Sequence, residues 1–105
     1  MAGGRRKVVD ERFYLSKANG GGVLRREIWV DRHNRVVRYN LAYINPLIYA
    51  GDNGRVLGYD LAHGHHHRHY RGKVAAVSFE GFGQIEARFQ KEWSKLAKEA
   101  SRAKD

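Results

Sequence analysis

The chain has 105 residues, 42% of them hydrophobic and 11% aromatic, with 20 lysines and arginines against 11 aspartates and glutamates. That length makes one domain with apolar material for a single core. The absence of cysteine excludes a disulfide framework, a thiolate nucleophile and any cysteine-ligated zinc or iron–sulfur centre. A formal charge of +9 favours polyanions as partners, nucleic acid first among them.

The start is basic at Arg5-Arg6-Lys7, and residues 1–10 are expected to form a flexible basic arm ahead of a single domain over 11–105. No apolar segment of signal-peptide length follows. The longest apolar stretch, Leu41 to Ala50, is interrupted by Asn45-Pro46 and is about half the length of a membrane-spanning helix. A cytoplasmic protein with no membrane partner is the expectation.

A first strand is predicted at Glu11–Ser16, with Phe13 and Leu15 on one face, and Asn19-Gly20-Gly21-Gly22 supplies the glycines of a hairpin connection. In the second strand, Leu24, Ile28 and Val30 share a face with Arg26, while Arg25, Glu27 and Trp29 take the other. The turn Asp31-Arg32-His33-Asn34 leads to a third strand carrying the period-two row Val37, Tyr39, Leu41 and Tyr43. It ends at Asn45-Pro46, because proline has no N–H to pair. A turn at Gly51-Asp52-Asn53-Gly54 introduces a short strand over Arg55–Asp60. From Ser78, read as a helix N-cap, the period changes: Phe82, Ile85, Phe89, Trp93, Leu96 and Ala100 form one helical stripe. These elements predict an α+β domain, a mainly antiparallel sheet of about five strands packed against one C-terminal amphipathic helix.

Five of the six histidines fall in His63-Gly64-His65-His66-His67-Arg68-His69. Three readings are open. A metal site is one, since alternate histidines on a strand point the same way. His65 to His69 spans about 13 Å, however, so a full site needs a bend or a further ligand such as Asp60 or His33. Acid–base catalysis is the second. Two imidazoles can serve as base and acid in one turnover, Arg68 can hold a phosphate, and Asp60 can orient an imidazole. A polar loop that only solvates one edge of the domain is the third. If residues 65–70 form a regular strand, His67 and His69 face one side and His66, Arg68 and Tyr70 the other. Convergence of Arg68 with either imidazole then requires a loop or bulge.

Positive charge gathers around this segment. Residues 1–50 hold ten basic against four acidic side chains, and residues 51–105 ten against seven. Arg25, Arg26, Arg71 and Lys73 are candidate phosphate contacts, and Tyr59 and Tyr70 either stack on unpaired bases or pack within the sheet.

The run Gly58-Tyr59-Asp60, then His63-Gly64, then His67-Arg68-His69 resembles the TumE-type toxins of type II toxin–antitoxin pairs. Ile28-Trp29, Tyr39-Asn40-Leu41-Ala42-Tyr43 and the helix after Ser78-Phe79-Glu80 are similar too, so the likeness covers about residues 11 to 97. Leu61 stands where the family usually has asparagine, the tract Asn45 to Asn53 is longer than the matching hairpin, and His65 and His66 are additional. The resemblance implies a small basic toxin neutralised by an antitoxin with a helix-turn-helix domain. It also implies RNA, free or ribosome-associated, as target, and Asp60, His67, Arg68 and His69 as functional residues.

Together these readings predict a metal-independent ribonuclease without cofactor, with His67 and His69 as base and acid, Arg68 stabilising the transition state and Asp60 orienting an imidazole. A non-catalytic nucleic-acid-binding module acting by sequestration and a His/Asp metal-dependent hydrolase are the alternatives. Homodimerisation is left open.

Overall fold

The fold is that of a computed structural model describing residues 4–103. Six antiparallel strands follow one another in chain order: β1 (Arg6–Tyr14), β2 (Val23–Val30), β3 (Val36–Ile44), β4 (Arg55–Ala62), β5 (His65–Tyr70) and β6 (Lys73–Ala76). Helix α1 (Phe82–Arg102) then crosses one face of the sheet. The α+β class is as expected, with one strand more. The extra strand, β6, is short and exposed, and it follows a two-residue turn in which Arg71 and Gly72 both take positive φ. The matching turn between β4 and β5, His63-Gly64, has the same form: a non-glycine residue and then a glycine, both at positive φ.

Burial follows the alternation. Tyr39, Leu41 and Tyr43 of β3 and Leu57 and Tyr59 of β4 point toward α1 and are buried, as are Ile28 and Val30 of β2. From the helix, Ile85, Phe89 and Ala97 meet them, Phe89 edge-on to Tyr59 and Trp93 tilted against Tyr43. Close approach at the helix C-terminal half depends on Gly20: its φ is 105°, and an added Cβ would lie 2.2 Å from the Ala97 carbonyl oxygen.

Two expectations are corrected. Residues 6–10 are not an arm: Arg6 opposes Val30 and Lys7 opposes Trp29, so the basic segment is strand β1, held by backbone pairing and by Lys7 on Glu27 at 2.6 Å. Residues 1–3 of that arm, like 104–105 of the domain, lie outside the described residues. The helix begins at Phe82 with Gly81 in the N-cap position, not at Ser78. Residues 77–80 instead run on from the sheet, with the Val77 N–H bonded to the His66 carbonyl. No helix among the described residues is long and apolar enough to cross a membrane.

Candidate functional site

Strand β5 is regular, and its register against β4 decides the site. His69 opposes Gly58, His67 opposes Asp60 and His65 opposes Ala62, so these residues share the sheet face away from the helix. His66, Arg68 and Tyr70 take the helix side.

On the open face Asp60 hydrogen-bonds one imidazole and lies beside a second. Its Oδ2 lies 2.9 Å from His69 Nε2, and its Oδ1 lies 3.5 Å from His67 Nδ1. The two rings are 6.2 Å apart, centre to centre. The guanidinium that completes this cluster is Arg55, whose Nη2 lies 3.1 Å from His69 Nδ1 and whose Nη1 lies 3.8 Å from Asp60. Asp52 accepts from Arg55 Nε at 2.8 Å and fixes the other edge of the fork. A guanidinium has only donors, so His69 Nδ1 accepts, and the proton of the neutral ring sits on Nε2, donated to Asp60. Each nitrogen of His69 is therefore committed, whereas His67 Nε2 has no hydrogen-bond partner among the described residues.

Arg55 was not expected at the site because five residues separate it from Asp60, which in a regular strand puts them on opposite faces. A register shift between Tyr43/Ile44 and their partners, with Ile44 opposite Arg55 and Tyr43 opposite Leu57, reverses that parity. No local sequence signal marks the bulge. Gly58 contributes as well, since a Cβ there would meet Arg55 Cδ at 2.9 Å; the bare backbone lets the arginine lie across it.

Arg68 is corrected. It faces α1, where Nη2 donates to Glu92 at 2.7 Å and Nε to the Tyr59 hydroxyl at 3.2 Å. The Tyr59 hydroxyl in turn donates to Glu92. Burial pushes the Glu92 carboxyl up, but these donors and the charges of Arg68 and Arg88 outweigh it and hold the group below the usual glutamate range. Arg68 is thus a strand-to-helix tie, and Asp60, His67 and His69 come together without it.

The expected RNA contacts divide in the same way. Tyr59 is wholly buried and cannot stack on a base. Arg26 is held on the helix side between Glu11 and Glu86. Tyr70 is also on that side, with Arg68 and Arg71 over its ring at 5.0 and 5.5 Å. Lys73 opposes Tyr70 at the start of β6, and Arg71 occupies the turn beside it. Arg25 alone of this group shares the open face with the histidines, 3.2 Å from Glu27. With Asn40, Ala42, Asn53 and Arg55 it lines a recess of about 290 Å³. Farther along the face, Lys7 and Arg38 flank the Trp29 ring at 4.9 and 4.8 Å.

Among the described residues, no group of three or more His, Asp or Glu side chains is set to hold a metal ion. His33, weighed as an extra ligand, sits in the β2–β3 turn beside Arg32. Comparison with protein-family models, with curated proteins and with solved structures found no match.

Proposed function

We propose that the protein is the toxin of a type II toxin–antitoxin pair and that it cleaves RNA by metal-independent acid–base chemistry on the open face of the sheet. The chemistry is supported by one observation above all: a single carboxylate, Asp60, spans two imidazoles while a guanidinium, Arg55, rests on one of them. The toxin assignment, and with it an antitoxin carrying a helix-turn-helix domain, is supported by the likeness running from Gly58 to His69.

In this mechanism His67 Nε2 takes the proton of a ribose 2′-hydroxyl, and the oxygen attacks the adjacent phosphorus. The phosphate draws the Arg55 fork away from His69 Nδ1, and the guanidinium stabilises the charge that develops on the equatorial oxygens. His69, protonated at the nitrogen Arg55 has left and oriented by Asp60 at the other, gives its proton to the departing 5′ oxygen. The P–O5′ bond breaks, leaving a 2′,3′-cyclic phosphate and a free 5′-hydroxyl. Asp60 stays ionised and balances the imidazolium.

Purified protein in the presence of chelator is expected to cut RNA, to leave 2′,3′-cyclic phosphate ends, and to spare a strand that is 2′-deoxy at the cleaved nucleotide. Cleavage of that deoxy strand would overturn the mechanism. The second reading, sequestration by a binding module, draws on Arg25, Lys7, Arg38 and Trp29 of the same face; tight binding with the RNA left intact would favour it.

A further inference from the structure

The outer edge of β1 has no partner among the described residues, and its charges are ordered: Arg6-Lys7-Val8-Val9-Asp10-Glu11, two cations, two valines, two anions. Read against a reversed copy of itself, every charge meets its opposite. We infer that β1 is a homodimer edge, pairing antiparallel with β1 of a second copy about a two-fold axis between Val8 and Val9.

Edge strands commonly carry charge to discourage such pairing, and a row of one sign does so against any comer. A mixed row that reads as its own complement does the reverse for one partner and one register. In a two-fold interface, residue i meets j and j meets i. Arg6 would oppose Glu11 of the second copy, Lys7 would oppose Asp10, and Val8 would oppose Val9.

Such pairs also have to share a face, and the strand's irregularity makes them do so. Residues three or five apart in a regular strand lie on opposite faces. Here the register against β2 shifts between Lys7 and Val9, with Val8 as the extra residue. Consequently Lys7 and Asp10 both lie on the open face, where both contact one another and Arg25 or Glu27. Arg6, opposite buried Val30, and Glu11, on Arg26, both lie on the helix side. Val8, 48% exposed, is left at the centre of the edge. The one like-charge coincidence, Arg5 against Arg12, falls outside the first residue of β1. The opposite edge, β6, has four residues and a single charge, Lys73, and offers no such pattern.

The axis of an antiparallel strand pair is perpendicular to the sheet, so the two helices would share one side and the two open faces the other. That makes one twelve-stranded sheet from two six-stranded ones, with its Asp60 clusters seven strand spacings apart, roughly 34 Å along the sheet. The inference rests on β1 alone and holds whether or not the open face cleaves RNA.

The test is the mass of the purified full chain by sedimentation equilibrium across concentration, with charge reversals. A dimer is expected. Arg6→Glu and Glu11→Arg should each raise its dissociation constant by about tenfold or more, because each turns two attractive pairs into repulsive ones. The combined variant should return most of the affinity. A monomer at every concentration, a mass indifferent to the single reversals, or a combined variant as weak as its parents would each overturn the assignment. Because Glu11 also touches Arg26 within its own chain, amide exchange of the unaltered protein supplies a second measurement. Protection in residues 6–11 should rise with protein concentration, and protection that does not change would overturn the proposal.

Discussion

One strand serves two unlike surfaces. In β5 the odd-numbered histidines look outward onto Asp60 and Arg55, while the even-numbered His66, Arg68 and Tyr70 look inward toward the helix and the chain that leads to it. Outward, two imidazoles and a guanidinium surround a carboxylate. Inward, each polar group has a structural partner: Arg68 has Glu92, and His66 has the Tyr39 hydroxyl at 2.8 Å and a stacked Phe79 ring at 4.0 Å. Residue type does not separate a catalytic histidine from a packing one. Parity does.

The largest effects should divide along that parity. His67→Ala and His69→Ala are each expected to lower RNA cleavage by about 10²- to 10⁴-fold with the far-UV dichroism unchanged, the usual range for a lost general acid or base. His66→Ala should leave cleavage within a few-fold of the parent. Equal losses at His66 and His67 would erase the distinction. Next come the two arginines. Arg55→Ala is expected to lower cleavage by about 10²-fold, as does loss of a single transition-state donor. Arg68→Ala should spare the rate but cost about 1–2 kcal/mol in urea unfolding, since it strands the half-buried Glu92. A variant at Arg68 that unfolds normally yet cannot cleave would return that residue to the chemistry.

How far the sequence foretold this follows the same physics. The helical stripe from Phe82 and Tyr39, Leu41 and Tyr43 of the β3 row are long patterns and fold as read, whereas Val37 is the extra residue at a register shift and Val36 packs on the core in its place. Asp60, His67 and His69 were legible because two strands joined by His63-Gly64 have only one simple register, which puts Asp60 opposite His67. The guanidinium was misread because Arg68 adjoins the histidines in sequence and a bulge near Arg55 does not announce itself. Tyr59 and Arg26 look like nucleic-acid contacts from composition alone. Their ties to Glu92 and Glu86 form only when α1 docks on the sheet. The basic start reads as an arm because charge hides β-pairing, and no residue of β1 is buried.

The inward face should also show in the acid dependence of stability. Glu92 is held below its ordinary 4.5 in the fold, so its contribution is complete above that value and is lost as pH falls through the lower folded one. The stability gap between the parent and Glu92→Gln should therefore be widest near neutrality and close on acidification. A constant gap would mean that the Arg68 contact does not depend on the carboxylate charge.

The smallest effect expected belongs to His66, and its sign runs through protons gained rather than lost. Burial, with the nearby charge of His67, lowers this imidazole below its ordinary 6.5. Between the folded value and 6.5 the unfolded chain binds more protons than the folded one, so stability rises with pH across that window and declines as pH falls through it. His66→Gln keeps a hydrogen-bonding partner for Tyr39 but cannot titrate there. Unfolding measured across the window should give the parent a steeper acid slope than the variant, while cleavage by the two stays alike. Matching slopes would mean that His66 takes its proton without disturbing Tyr39 or Phe79.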